Sequence, residues 1–267
     1  VEFTLQEPTA AALDYCFKNG IDNGVFMVYD LGGGTFDVSI VRLNEGDAYV
    51  LGIAGNTYLG GDNFDDALAH HLLELLQDPD EGYDLELDIN RNEEDRLRFT
   101  RLKLEAEIIK KALSSKDEHY EMADGIFKDK SGATVNLAAT VTRAEFEALI
   151  SPLLQTTIDE CYTALKEAEE KYSTTLDMID GVLLVGGSTH IPLVARMIEK
   201  TFTDPSLPIH TKLPRPLCDE PDMAVGYGAA IAAASCGTES AGAESVAHGG
   251  KTLLVSAAFK PGRGYGG

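Results

Sequence analysis

Asp30-Leu31-Gly32-Gly33-Gly34-Thr35-Phe36-Asp37 is the stretch on which the reading of this chain turns. It lies between two apolar runs, Val25 to Asp30 (VFMVYD) and Phe36 to Leu43, and both read as strands. In the second run Phe36, Val38, Ile40 and Arg42 share one face, while Asp37, Ser39, Val41 and Leu43 share the other. Three successive glycines let a chain turn tightly and bring backbone N–H groups close to a ligand with no Cβ in the way. Such a nest of N–H groups suits phosphate oxygens. Asp30 and Asp37 flank the turn. A carboxylate beside phosphates needs a cation between them, and Mg2+ holding several waters is the natural choice. Thr35 adds a hydroxyl at the same place. The stretch is not a Walker loop, because it lacks Gly-Lys-Ser/Thr and a strand rather than a helix follows it. A plain glycine-rich hairpin turn fits the same residues.

A second glycine pair stands in Leu184-Val185-Gly186-Gly187-Ser188-Thr189, between a buried strand (Ile179 to Val185) and a helix opened by Pro192. Two glycines there would let a planar or sugar-like group lie against the backbone at the helix entry; a simple strand–helix turn is the other reading. On a long helix, expected over Arg96 to Ser115, Glu107, Lys110, Lys111 and Ser114 fall at i, i+3, i+4 and i+7 and share a face. Leu102, Ala106, Ile109 and Leu113 take the opposite face and should pack inward. The polar stripe offers a carboxylate for ribose hydroxyls, two cationic stems and a hydroxyl; it equally suits a solvated stripe with a Glu107–Lys111 pair. His70 and His71 are adjacent on a helix and match no common metal spacing, and His119, His210 and His248 stand alone. His190 gains interest from following the Gly-Gly-Ser-Thr turn.

Outward from these motifs, Gln6 to Phe17 reads as a helix with Pro8 near its first position. Gly20 to Gly24 is a turn, and Tyr49 to Ile53 a third strand. Asp62 or Asn63 should cap a helix with Phe64, Leu68, Leu72 and Leu75 as its apolar stripe. Leu76 to Asn92 reads as an acidic loop, with Glu93 to Asp95 as a solvated helix start. His119 to Phe127 and Ala133 to Val141 form a hairpin. Thr142 and Glu145 make a capping box for a helix that Pro152 kinks or restarts and that continues to about Lys171. Asp222 should cap a last helix, MAVGYGAAIAAA, and from Ser235 the chain shifts to Gly, Ala and Ser and reads as a linker whose one apolar patch is TLLVS at Thr252 to Ser256. Strands, then helices with a hairpin, then strand and helix again suggest a sheet domain carrying an insertion. The expected division is 1–61 with 179–235 as the sheet subdomain, 62–178 as the helical-plus-hairpin insertion, and 236–267 as the tail.

Composition narrows the function classes. The chain has 267 residues, 44 acidic against 22 basic side chains, and a formal net charge of -22. Such a balance repels nucleic acid and anionic membranes, so neither is an expected partner. A nucleotide remains possible where local N–H groups, a few Lys or a metal ion offset the field. Apolar residues are 44% of the chain, enough for a substantial core. Cys16, Cys161, Cys218 and Cys236 are far apart with no Cys-x-x-Cys, so neither a disulfide framework nor a thiolate zinc site is suggested, and a reducing, cytoplasmic compartment is the expectation. No apolar run approaches the roughly 20 residues of a membrane span, and no stretch reads as a signal peptide. A first residue of Val1 suggests a piece of a longer protein.

Taken together, these residues resemble the second half of the ATPase domain of the seventy-kilodalton heat-shock chaperone family. The matching stretches are EPTAAALDY (Glu7 to Tyr15), YDLGGGTFDVSI (Tyr29 to Ile40), LGGDNFD (Leu59 to Asp65), EIIKKALSS (Glu107 to Ser115), LLVGGSTHIPLVARMI (Leu183 to Ile198) and EPDMAVGYGAAIAA (Glu220 to Ala233), in family order. The resemblance implies an α/β, actin-like (ribonuclease-H-like) lobe with a mixed sheet flanked by helices and an inserted α/β subdomain, forming one wall of an ATP cleft. It implies that Gly32, Gly33, Gly34 and Thr35 hold the phosphates of ATP or ADP and that Asp30 holds Mg2+ through water. Asp37 and Glu7 would position or polarise the attacking water. Glu107, Lys110, Lys111 and Ser114 would clasp ribose and adenine, Gly186, Gly187 and Ser188 would line the floor, and Asp222 would close the pocket. Gly60, Gly61 and His190 join the cofactor-binding set. Phosphoryl transfer needs mainly positioning and charge stabilisation, so such contacts are sufficient.

The resemblance further implies nucleotide-exchange factors and J-domain co-chaperones as partners of the intact protein. The chain departs from the family pattern in several places. No residue here matches the family's other phosphate loop or its catalytic lysine, so this chain alone is expected to hydrolyse ATP poorly or not at all. His190 stands where the family usually has an arginine packing on adenine, and an imidazole lacks that fixed cation. Gln6 replaces the usual asparagine before Glu-Pro, and the acidic-leucine linker is not recognisable after Ser235. Two other readings compete: a non-enzymatic module that docks an exchange-factor-like partner through the insertion, and an actin-like filament protein or sugar kinase, against which the EIIKKALSS helix speaks.

Overall fold

A computed structural model describes residues 5–44, 47–77, 82–85, 87–203, 220–237, 246–248 and 251–253. The chain divides into two compact units, Val1–Tyr58 with Thr156–Gly267, and Leu59–Gln155. The boundary at 155/156 falls inside a helix, where the sequence reading ended the insertion at 178.

In the first unit, α1 (Glu7–Asn19) opens with Pro8 in its first turn and closes on Gly20, whose φ of 64° supplies the left-handed cap. β1 (Asn23–Leu31), β2 (Phe36–Asn44) and β3 (Asp47–Asn56) form an antiparallel meander, and β6 (Gly181–Val185) joins β1 in parallel. The sheet order is β3-β2-β1-β6, so it is mixed, as the sequence implied. Strand alternation sorts its side chains. Phe26, Val28, Val41, Leu43, Leu183 and Val185 bury one face against Ala11, Ala12 and Cys16 of α1 and Ala224 of α6 (Ala224–Gly237). On the other face the Tyr29 hydroxyl lies 2.6 Å from Thr157 Oγ1, and Arg42 donates to Thr174 Oγ1 at 2.7 Å. Thr157 belongs to α4 (Arg143–Tyr172), whose Ala164 carbonyl presses on Gly52 so closely that a Cβ there would lie 2.2 Å from it.

After β6 come α5 (Pro192–Thr203) and α6, whose small residues have a similar cause. A Cβ on Gly228 would lie 1.8 Å from the Ala10 carbonyl oxygen, so α1 and α6 cross backbone to backbone. The helix extends through Gly237, past Ser235, where the sequence suggested a linker; Val246–His248 (β7) and Lys251–Leu253 (β8) further on pair antiparallel. The rest of TLLVS, together with Cys218 and His210, lies outside the described residues. Asp222 does not act as the expected cap: the first backbone bonds run from Met223 and Ala224 N–H to the Glu220 carbonyl.

The second unit holds α2 (Gly61–Leu76), α3 (Glu93–Leu113), the hairpin of β4 (Glu118–Lys128) with β5 (Thr134–Thr142), and the start of α4. Gly60, rather than Asp62 or Asn63, is the N-cap of α2; the Asn63 side chain reaches back to accept from Gly60 N–H at 2.8 Å. Phe64, Leu68 and Leu72 are fully buried, but Leu75 is exposed and Leu73 and Leu76 turn inward instead. Contacts spaced by four drift about 40° per step around a helix, so the buried arc has left Leu75 behind by the last turn. α3 starts three residues earlier than expected because the Asn92 side chain accepts from Glu94 and Asp95 N–H. Asp95 is buried rather than solvated and accepts from Asp88 N–H. Leu102, Ala106, Ile109 and Leu113 face the core as read. The capping box at Thr142 and Glu145 forms in both directions, at 2.8 and 3.2 Å, and α4 runs through Pro152 as one element.

Candidate functional site

Register builds the site in the first unit. Asp30 pairs with Asp37 and Leu31 with Phe36 across the β1–β2 turn, Gly55 pairs with Asp37 and Asn56 with Phe36 on β3, and Val185 pairs with Asp30 on β6. Both glycine loops therefore leave the same end of the sheet. The turn is closed by Gly32 N–H donating to the Thr35 carbonyl at 3.0 Å. Ser188, after the second glycine pair, donates its hydroxyl to the Gly32 carbonyl at 2.8 Å and ties the loops together.

The glycines divide into two kinds. At Gly33 and Gly34 an added Cβ would meet nothing within 4 Å, and neither residue takes a positive φ. Among the described residues no neighbour demands glycine there. Their backbone is exposed at the sheet end, with open space where a side chain would stand, which leaves room for a ligand seated on the main chain. Gly186 is different: its φ is 86° and a Cβ would lie 2.5 Å from the Leu31 carbonyl oxygen and 2.8 Å from Asp30 Oδ1. A Cβ on Gly187 would lie 3.0 Å from Asp222 Oδ1, and one on Gly55 would lie 3.0 Å from Asp37 Oδ1 and 2.6 Å from the Phe36 carbonyl oxygen. Three carboxylates thus sit directly over glycine backbone. The role of Gly55 was missed in the sequence; glycines inside GIAGN, a strand, were the available signal of close backbone approach.

Asp30 is the electrostatic focus. Burial, then the carboxylates of Glu7 and Asp37, push its pKa from 3.8 up to about 6. A half-buried carboxylate beside two others is chemically suited to a divalent ion. Among the described residues no three His, Cys, Asp or Glu side chains are grouped so as to hold a metal ion. His190 Nε2 lies 3.0 Å from Asp222 Oδ2, so these two residues are partners at the helix entry.

The second unit holds the remaining candidates. Lys110 is turned inward: its ammonium donates to Asp65 Oδ2 at 2.7 Å and to the Gly61 carbonyl at 3.1 Å. Burial outweighs this lysine and raises the Asp65 carboxyl. Asp65 was not foreseen; Lys110 and Asp65 are far apart in sequence and only the packing of α2 on α3 joins them. Lys111 and Glu107 pair at 2.7 Å on the surface, each holding the other in its charged form. Ser114 donates to the Lys110 carbonyl, and Gly60 and Gly61 are buried at the start of α2.

A mixed four-stranded sheet flanked by helices, with two glycine loops at one end, is the architecture of an α/β, actin-like lobe. The chain belongs to the Hsp70 family: the family model described as Hsp70 protein matches residues 2–244. The proteins named chaperone protein HscA homolog from two strains of Acidithiobacillus ferrooxidans are each 39% identical to it over 230 residues, which is 86% of this chain and 32% of theirs. The chain thus spans about a third of the length of these relatives. No described helix is long and apolar enough to cross a membrane.

Proposed function

We propose that this chain is the ATP- and ADP-binding second lobe of a heat-shock-type chaperone ATPase. In the intact protein the lobe would take part in Mg2+-dependent ATP hydrolysis that drives peptide binding and release. The observation that carries this reading is the pair Gly33 and Gly34, exposed at the sheet end, where an added Cβ would meet no described neighbour within 4 Å. Gly33, Gly34 and Thr35 present backbone N–H groups, and Thr35 a hydroxyl, to the phosphates, while the Gly32 N–H closes the turn on the Thr35 carbonyl. Asp30 would hold Mg2+ through its water shell, and the ion would supply the positive charge that lets phosphates approach the carboxylates. Asp37, seated over Gly55, and Glu7 orient the attacking water. Gly186, Gly187 and Ser188 form a backbone floor, and Asp222 with His190 borders it.

Glu107, Lys111 and Ser114 contact the nucleoside, with Lys110 held by Asp65 beneath them. Gly60 and Gly61 fix the start of the helix that carries Asp65. Exchange factors and J-domain co-chaperones are the expected partners of the intact protein, and the cytoplasm its compartment. Without the other lobe, this chain binds ADP with Mg2+ weakly and turns over ATP slowly or not at all. Titration calorimetry tests the proposal: weak Mg2+-dependent ADP binding, abolished by Asp30→Lys or Lys111→Glu, is expected. A folded chain that takes up no nucleotide at millimolar concentration refutes it.

A further inference from the structure

The core face of α3 accounts for Leu102, Ala106, Ile109 and Leu113, but the opposite face is also apolar. Leu97, Leu104 and Ile108 are 64%, 57% and 49% exposed. With Arg101 they fall at spacings of four, three and four and form one continuous stripe along about 17 Å of helix. Arg101, the polar member, has its guanidinium turned aside to donate to the Asp124 and Gly125 carbonyls of the hairpin at 2.9 and 3.2 Å. This leaves the three aliphatic side chains together on the surface. The two ends of the helix carry exposed charges of opposite sign: Glu93 and Glu94 in the first turn, Glu94 paired with Arg98, and in the last Lys111, paired with Glu107 but with 71% of its side chain exposed.

We propose that this face is a self-association surface that takes the same face of a second copy of the chain, with the two α3 helices antiparallel. Leu97 and Ile108 lie equally far from the middle of the stripe, and so do Arg101 and Leu104. A two-fold axis there sets Leu97 against Ile108 of the second copy and interleaves Leu104 with the aliphatic stem of Arg101 of the second copy. The same axis brings the acidic first turn of each helix to Lys111 of the other, whereas a parallel pairing would set like charge against like. The contact is a single helix face, below the about 1,200 Å² of a stable interface, so the pair is weak and reversible. The apolar stripe does not rest on the nucleotide reading, although Lys111 belongs to both.

Sedimentation velocity of the 267-residue chain from micromolar to millimolar concentration, at low and high salt, tests it. The expected result is a salt-sensitive monomer–dimer equilibrium, weakened at least about tenfold by Leu104→Glu. Glu93→Lys should weaken it a few-fold and Glu93→Lys with Lys111→Glu should restore it. Circular dichroism of each variant checks the fold. A mixture of Leu97→Cys and Ile108→Cys chains should cross-link at those two positions on oxidation, mapped by mass spectrometry, while Leu97→Cys alone should not join to itself. A chain that stays monomeric to millimolar concentration overturns the proposal, because something else then covers the stripe. Association indifferent to both Leu104→Glu and Glu93→Lys, or Leu97→Cys joining to itself, overturns it equally.

Discussion

Replacing Asp30 by Asn should make the ligand-free chain more stable at neutral pH, although it removes the residue proposed to hold the cation. Burial and the carboxylates of Glu7 and Asp37 raise the pKa from 3.8 to about 6. A folded-state value above the unfolded one means that the folded chain binds an extra proton between those limits. The contribution of this group is then fully present below about pH 4 and is lost as the pH rises through about 6. A shift of two units corresponds to nearly 3 kcal/mol; because the side chain is partly solvated, the cost of its charge at pH 8 is on the order of 1–3 kcal/mol. Asn keeps the shape and discards the charge. Urea unfolding without divalent ions, at pH 5 and pH 8, reads the effect. Asp30→Asn should exceed the parent at pH 8 by on the order of 1–3 kcal/mol, and the gap should shrink toward pH 5. An Asn variant no more stable than the parent at pH 8 would refute the argument that this carboxylate is held at a cost.

Further expectations follow from packing and from the second unit. Gly228→Ala should destabilise the chain by about 2 kcal/mol or more, since its Cβ would fall 1.8 Å from Ala10 backbone. Gly226→Ala on the same helix, where a Cβ meets nothing, should instead stabilise by up to about 1 kcal/mol; thermal unfolding of the two separates the effects by sign. Asp65→Leu strands the inward ammonium of Lys110 and should cost about 3 kcal/mol or more, measured by chemical denaturation. Thr142→Ala breaks the capping box of α4 and should cost about 1 kcal/mol by the same measurement.

Much of the fold was legible because local chemistry and packing agree. The tri-glycine turn, the alternating strands beside it and the Thr142–Glu145 box each carry a complete local signal. Where the reading slipped, a neighbour had decided the outcome. Leu75 was lost to the rotation of the buried arc on α2, and Asp95 found Asp88 rather than water. Ser235 to Gly237 continue α6, although their composition resembles a linker. The candidate site was legible as residue types and in its one local pair, Glu107 with Lys111, but not in its long-range partnerships. Sequence spacing put Lys110 and Lys111 in one stripe, but the fold turns Lys110 toward Asp65 and leaves Lys111 on the surface with Glu107. Nor could spacing show that Gly55, Gly186 and Gly187 lie beneath Asp37, Asp30 and Asp222, because those contacts join strands and loops distant in sequence.

The most direct test of the central claim is an NMR titration of the labelled chain with ADP and Mg2+. It would follow the amides of Gly32, Gly33, Gly34 and Thr35 and the carboxyl carbon of Asp30. The account predicts saturable shifts of those amides, larger with Mg2+ than without, and an Asp30 titration that moves downward from about 6 once the cation is bound. Millimolar nucleotide that leaves those four amides and Asp30 unmoved, while the chain stays folded, would contradict it.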